Sequence, residues 1–248
     1  MFQKHYINMG IKSLSLQLVR SGVLCGRDCL KVGFFVKQIV FWRIGFFLLG
    51  IIILALGVTL TIRGQTFGVG SWDVLHIGLF KTVGLTIGSW SIILGIAILI
   101  SIGIITKRFP KIGTWVDMVL TGVFIDIFNW LLPVATTTAI QLLAFILGLI
   151  AIGFGAGMYI AADLGVGPRD ALMMLLTEYT PLSVSTARTI MEVSVALIGV
   201  MLGGPLGIGT VIMAFGLGPI VQWALKFNER LFERITGQPA LQKKGVAS

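Results

Sequence analysis

Charged side chains are scarce in this chain: they make up 12% of its 248 residues, and only 10 residues are acidic. Soluble domains carry about 25%. With 56% hydrophobic residues and a mean hydropathy of +0.98, the apolar excess is more than a soluble core can absorb. A domain of this size still exposes much of its surface. A soluble protein is therefore excluded.

Cysteine and histidine are scarcer still, with two of each. Four such ligands, placed at Cys25, Cys29, His5 and His76, do not form a metal site of the usual Cys/His spacing. No metal and no cofactor is expected. Cys25 and Cys29 read as reduced cytoplasmic thiols, with reversible palmitoylation as the lesser alternative. There is no nucleophile elbow, no P-loop, no His-Glu-x-x-His and no Ser/His/Asp arrangement. These absences argue against ATP-driven transport by this chain alone and against the common membrane hydrolases, and the chain is not expected to be an enzyme. No cleavable signal peptide is expected either. The first residues are polar and basic, and the first long apolar run starts near residue 38.

What the chain has is apolar runs. A helix needs about 20 mainly apolar residues to cross a bilayer. Runs at about 40–62, 87–106, 114–132, 139–161 and 208–226 meet or approach that length. A sixth, about 183–203, is apolar apart from Arg188 and Glu192. Two shorter segments, 72–83 and 169–179, read as half-helices. The 32 glycines suit close helix contact in lipid and are compatible with a homodimer.

The net charge is +9, with a pI near 9.9. The basic residues lie beside the apolar runs, before residue 44, at 107–111 and after 225, while the loops at 133–138 and 204–207 have none. That is orientation bias and attraction to anionic lipid, and no nucleic-acid partner is expected. Six spans with both termini cytoplasmic put every basic cluster inside and leave only Arg63 and Lys81 outside.

The chain also repeats itself. Gly68-Val69-Gly70-Ser71-Trp72-Asp73 matches Gly165-Val166-Gly167-Pro168-Arg169-Asp170 at a spacing of 97 residues. Leu85-Thr86-Ile87 matches Leu182-Ser183-Val184 at the same spacing, and Ile112-Gly113-Thr114 matches Ile208-Gly209-Thr210 at 96. Gly50 and Gly57 match Gly148 and Gly155 at 98. Three spans per half reverse the second half's entry side. The expected fold is an all-α polytopic membrane protein of six transmembrane helices in two inverted three-span repeats, each with a short half-helix after a Gly-x-Gly-x-x-Asp turn. The expected divisions are a basic cytoplasmic segment at 1–37, membrane repeats at 38–133 and 138–228, and a cytoplasmic tail at 229–248. Inverted repeats with broken helices at matching positions characterise secondary transporters.

Each Gly-x-Gly-x-x-Asp segment admits two readings. As a turn and cap, its glycines free the backbone and its aspartate sits at the positive helix end. As a site, the two helix starts line a cavity with Asp73 and Asp170 as proton or cation sites. No strand precedes the motif, so it is not a dinucleotide fingerprint. Candidate solute- or ion-binding residues are Asp73, Asp170, Gly70, Gly167, His76, Arg169, Asp126, Arg188 and Glu192. His76 follows Asp73 by three residues, a spacing that suits either a proton shuttle or an interfacial histidine. Arg188 and Glu192 are four apart, as a pairing or a functional charge set would be. Asp126 lies deeper along its run than Asp117, which reads as interfacial. The six tryptophans read as interfacial anchors.

The two motifs, with Gly203-Gly204-Pro205-Leu206-Gly207-Ile208-Gly209-Thr210, resemble the bacterial YczE/YyaS/YitT membrane proteins over about 40–228. The resemblance implies a multi-pass protein of the bacterial cytoplasmic membrane with no established substrate. It also implies that some relatives are linked to secondary-metabolite production, and it carries over no catalytic residue. The leading expectation is a small secondary transporter or permease-like protein for a small solute. The alternative is a non-transporting membrane accessory or scaffold that binds a partner enzyme.

Overall fold

The computed structural model describes residues 27–107, 109–181 and 184–237. Cys25, most of the basic N-terminal segment, Leu182-Ser183 and the last residues of the tail lie outside them. Eight helices fill the described residues, without a strand among them: α1 Arg27–Arg63, α2 Ser71–Val83, α3 Ile87–Thr106, α4 Ile112–Leu131, α5 Thr138–Ala161, α6 Pro168–Tyr179, α7 Val184–Met201 and α8 Ile208–Thr236.

Five helices are long and apolar enough to cross a membrane: α3, α4, α5, α8 and the part of α1 at Gln38–Arg63. Where a sixth span is expected stands α7, Val184–Met201, the shortest of the expected spanning helices, with Arg188 and Glu192 in its first half. The outward faces are apolar along their length, with Ile104, Trp130 and Phe215 all strongly exposed. Such a surface is tolerable only against lipid.

The bundle is held by glycine seams. A Cβ added at Gly50 would lie 2.5 Å from the Tyr159 backbone nitrogen and 2.9 Å from the Gly155 carbonyl; at Gly57 it would lie 2.6 Å from the Ile152 nitrogen and 2.9 Å from the Gly148 carbonyl. α1 and α5 thus cross backbone to backbone, the closest approach lipid-embedded helices can make. A second seam joins α3 to α4, where a Cβ on Gly88 would lie 2.0 Å from the Gly122 carbonyl. A buried hydroxyl, Thr59, binds the Ala55 carbonyl of its own helix at 3.1 Å and reaches the Ile125 carbonyl of α4 at 3.5 Å.

Each Gly-x-Gly turn is pinned against the start of a distant helix. The turn at Gly68 touches Thr210 at the start of α8, and the Gly209 amide donates to the Phe67 carbonyl at 2.5 Å. The turn at Gly165 touches Thr114 at the start of α4, and Gly113 abuts the Leu164 carbonyl. Gly68 has φ of +117°, so a larger residue there would be strained as well as crowded.

Polar contacts mark the two ends of the bundle. At one end Lys111 pairs with Asp163 at 3.6 Å, and Arg43 donates to the Ala162 carbonyl at 2.9 Å while lying 5.2 Å from the centre of the Phe232 ring. At the other, Arg63 donates to the Asn129 and Leu132 carbonyls, Thr66 to the Gln141 side chain, and Lys81 to the Gly203 carbonyl at 3.0 Å. The two basic residues that the charge census leaves on the outer side both cap backbone carbonyls. Those that Arg63 meets are among the last of α4, which no further turn of helix can satisfy.

Candidate functional site

α2 and α6, the two short helices, start at one cavity of about 420 Å³. Gly70 and Ser71 line it from one motif, and Gly167 and Pro168 from the other. The first-turn carboxylates Asp73 and Asp170 line it too, near the positive ends of their helices.

The two motifs meet here. The Arg169 guanidinium carbon lies 5.1 Å from the centre of the Trp72 ring, within the range of a cation–π contact, and its Nη2 lies 3.8 Å from Asp73 Oδ1. Arg169 and Trp72 occupy matching positions in the repeat, so a residue of each motif covers its counterpart. His76 Nδ1 stands 3.6 Å from the same Asp73 oxygen. Asp73 and His76 are almost fully buried, at 2% and 1% exposure. Both approaches to Asp73 Oδ1 are within ion-pair range and beyond hydrogen-bond length. Among the described residues Asp73 Oδ1, His76 Nδ1 and Trp72 Nε1 are buried without a hydrogen-bond partner.

The start of α6 has its own polar set. The Tyr159 hydroxyl donates to Asp170 Oδ2 at 3.3 Å. A point over the bare face of Gly167, where a Cβ would stand, lies 3.3 Å from Asp117 Oδ2 and 3.3 Å from the Tyr159 hydroxyl. Asp117 is buried, and Thr121 donates to it at 3.5 Å. Over Gly70 the matching point meets Asp73 Oδ2 and Met213, and Met213 is the repeat counterpart of Asp117. The cavity is therefore asymmetric: one side carries an acid where the other carries a thioether.

The structure brings Asp73, Asp170, Gly70, Gly167, His76, Arg169 and Glu192 to this cavity. Asp126 is not among its lining. It lies at the start of α3, accepting from the Gly88 amide at 2.9 Å and from the Thr86 hydroxyl. Thr86 is the residue preceding that helix, and its own side chain accepts from the Ser89 amide, so Asp126 completes a helix cap. The side chain of Arg188 lies outside the described residues, so its relation to Glu192, as a pair or as a functional charge set, does too. Asp117, read from the sequence as interfacial, lines the cavity instead, because the pinned Gly113-Thr114 start carries the first turns of α4 inward. Trp72 is likewise no interfacial anchor; it is buried beneath Arg169. Tyr159 left no signal in the repeat, since its counterpart is Thr61. Asp117 left one: Thr121 follows it by four residues, on the same helix face.

Comparison with known proteins adds the family. Residues 41–226 match a family described as a family of unknown function, DUF6198. The chain belongs to that family. It is 45% identical over 189 residues to the uncharacterized membrane protein YczE of Bacillus subtilis (strain 168), covering 76% of this chain and 88% of that protein. It is 30% identical over 189 residues to the uncharacterized protein YyaS of the same organism, covering 74% and 92%. An uncharacterized protein of Haemophilus influenzae (strain ATCC 51907 / DSM 11121 / KW20 / Rd) is 32% identical over 166 residues, covering 66% and 76%. The resemblance to YczE and YyaS read from the glycine motifs is thus a family relationship over the membrane helices. No solved structure matches.

Proposed function

We propose that this DUF6198 protein is a small secondary transporter or permease-like protein without enzymatic activity, and that its cavity is the solute site. The observation that carries the reading is the meeting of two short-helix N-termini, one from each half of the chain, at one cavity with ionisable walls. Charged groups inside a membrane protein are costly and tend to mark solute or ion pathways. Half-helix ends pointing into a cavity are how transporters of inverted design hold charged cargo.

Six spans, with α7 as the fifth in chain order, and inverted halves belong to the same proposal. The glycine seam supports it. Gly50 meets Gly155 and Gly57 meets Gly148, while Gly50 is the counterpart of Gly148 and Gly57 of Gly155. Exchanging the halves maps each contact onto the other, as a two-fold axis would. The pinned turns exchange in the same way. The end contacts support the orientation: Lys111 with Asp163 and Arg43 with Ala162 join segments that six spans place in the cytoplasm, and Arg63 with Leu132 and Lys81 with Gly203 join segments placed outside.

Purified protein in liposomes, loaded with a radiolabelled solute mixture and screened for counterflow under proton and sodium gradients, tests the transport reading. Flux that Asp117→Asn with Asp170→Asn abolishes supports it. Absence of flux across the screen, together with capture of a partner enzyme that removal of residues 229–248 prevents, would favour the accessory reading.

A further inference from the structure

We infer that the cavity binds a small amine in its ammonium form through Asp117 and Asp170, with a second donor of the amine reaching Asp73. This rests on reading the cavity as a solute site.

Charge balance points to a cation. Among the described residues lining the cavity, the carboxylates are Asp73, Asp117, Asp170 and Glu192, and the one guanidinium is Arg169. Arg169 lies in ion-pair range of Asp73 and near enough to Asp117 to act on it, so one guanidinium faces four carboxylates. Asp117 and Asp170 each have a neutral hydroxyl as their hydrogen-bond donor, from Thr121 and Tyr159. Neither hydroxyl supplies the charge that a buried carboxylate needs. A carboxylate so placed takes a proton or a cationic partner.

The orphaned atoms point the same way and are independent of the charge count. Asp73 Oδ1 is a pure acceptor when ionised, is almost fully buried on the cavity wall, and receives no hydrogen bond among the described residues. With Arg169 and His76 in ion-pair range but beyond hydrogen-bond length, it suits a hydrogen-bond donor on the solute. Trp72 Nε1, in the residue beside Asp73, is likewise a buried donor without a partner among the described residues.

The walls select an organic cation over a metal ion. Leu54, Val58, Ile98, Ile125 and Ile152 line much of the cavity. A bare cation needs several oxygens drawn close around it, and among the described residues no group of three or more His, Cys, Asp or Glu side chains could hold one. Apolar walls instead require a solute with an apolar body, and about 300–1,000 Å³ is the usual range for small-molecule sites.

The test uses the purified full chain in detergent and matched probes: aminopentanol, its neutral isostere pentanediol, its anionic counterpart hydroxypentanoate, and sodium chloride. Aminopentanol should raise the melting temperature saturably, while the other probes should not at equal concentration. Isothermal titration should show the same selectivity. Asp117→Asn with Asp170→Asn should raise the half-saturating concentration by about tenfold or more, the loss expected for charge-assisted bonds. Asp126→Asn should leave it unchanged. Stabilisation by pentanediol or hydroxypentanoate to an equal degree, saturation by sodium alone, or no heat of binding with aminopentanol would overturn the assignment. Aminopentanol binding without counterflow in liposomes would sink transport and leave the site intact. Counterflow of an anion without amine binding would sink the site assignment and leave transport standing.

Discussion

Asp117 and Asp126 lie on one helix, nine residues apart. Nine residues turn a helix by about 900°, so the two side chains point to roughly opposite sides. That much follows from the sequence. Which side faces the cavity does not, because it depends on where the Gly165 turn pins the start of α4. Two measurements separate the roles. Asp126→Ala removes the acceptor that meets the Gly88 amide and should cost about 1 kcal/mol, the usual value of a helix cap, seen as a lower melting temperature in detergent. Its flux in liposomes should survive. Arg169→Lys should do the reverse. Lysine keeps the charge but lacks the planar group that stacks on Trp72, so flux should fall by about tenfold with little change in melting. Loss of flux in the Asp126 variant alone would exchange the two assignments.

At the scale of the element, the glycine periodicity was readable and its partners were not. Gly50, Gly57, Gly148 and Gly155 stand out as matched pairs at one spacing. Only the fold brings the first two against the last two, because contact between distant helices leaves no trace in local spacing. The seam predicts a contrast within α1. Gly57→Ala would place a methyl group 2.6 Å from the Ile152 nitrogen and should cost about 1–3 kcal/mol, the range for overfilled cores. Gly45→Ala meets nothing within 4 Å and should stay within about 0.5 kcal/mol of the parent. Thermal melting of the two variants side by side checks it. The half-helices themselves were legible almost to the residue, since the Gly-x-Gly turn, with proline at Pro168, announces a helix start. The buried tryptophan between them was not. Trp72 sits near a helix end, where tryptophan ordinarily marks the membrane interface, and only the arrival of Arg169 from the other half reveals a different use.

For the whole molecule, hydropathy and the charge census lead to an expectation of six spans in one orientation, of which five helices are long and apolar enough to cross, and the repeat leads to the expected relation between the halves. The inversion rests on an odd number of crossings between the two Gly-x-Gly turns, which α3, α4 and α5 supply by length and composition. If all three cross, the second turn faces the opposite side and the halves are inverted. If one of them does not, the halves share an orientation and the pairing of two half-helix ends loses its transporter logic. Thr66 and Glu178 are both exposed and lie on either side of these three helices. With Cys25 and Cys29 changed to serine, a single cysteine at residue 66 or at residue 178 should react with a membrane-impermeant maleimide from opposite sides of the membrane. The account predicts labelling at residue 66 in intact cells, and at residue 178 only after permeabilisation. Labelling of both from the same side would contradict it.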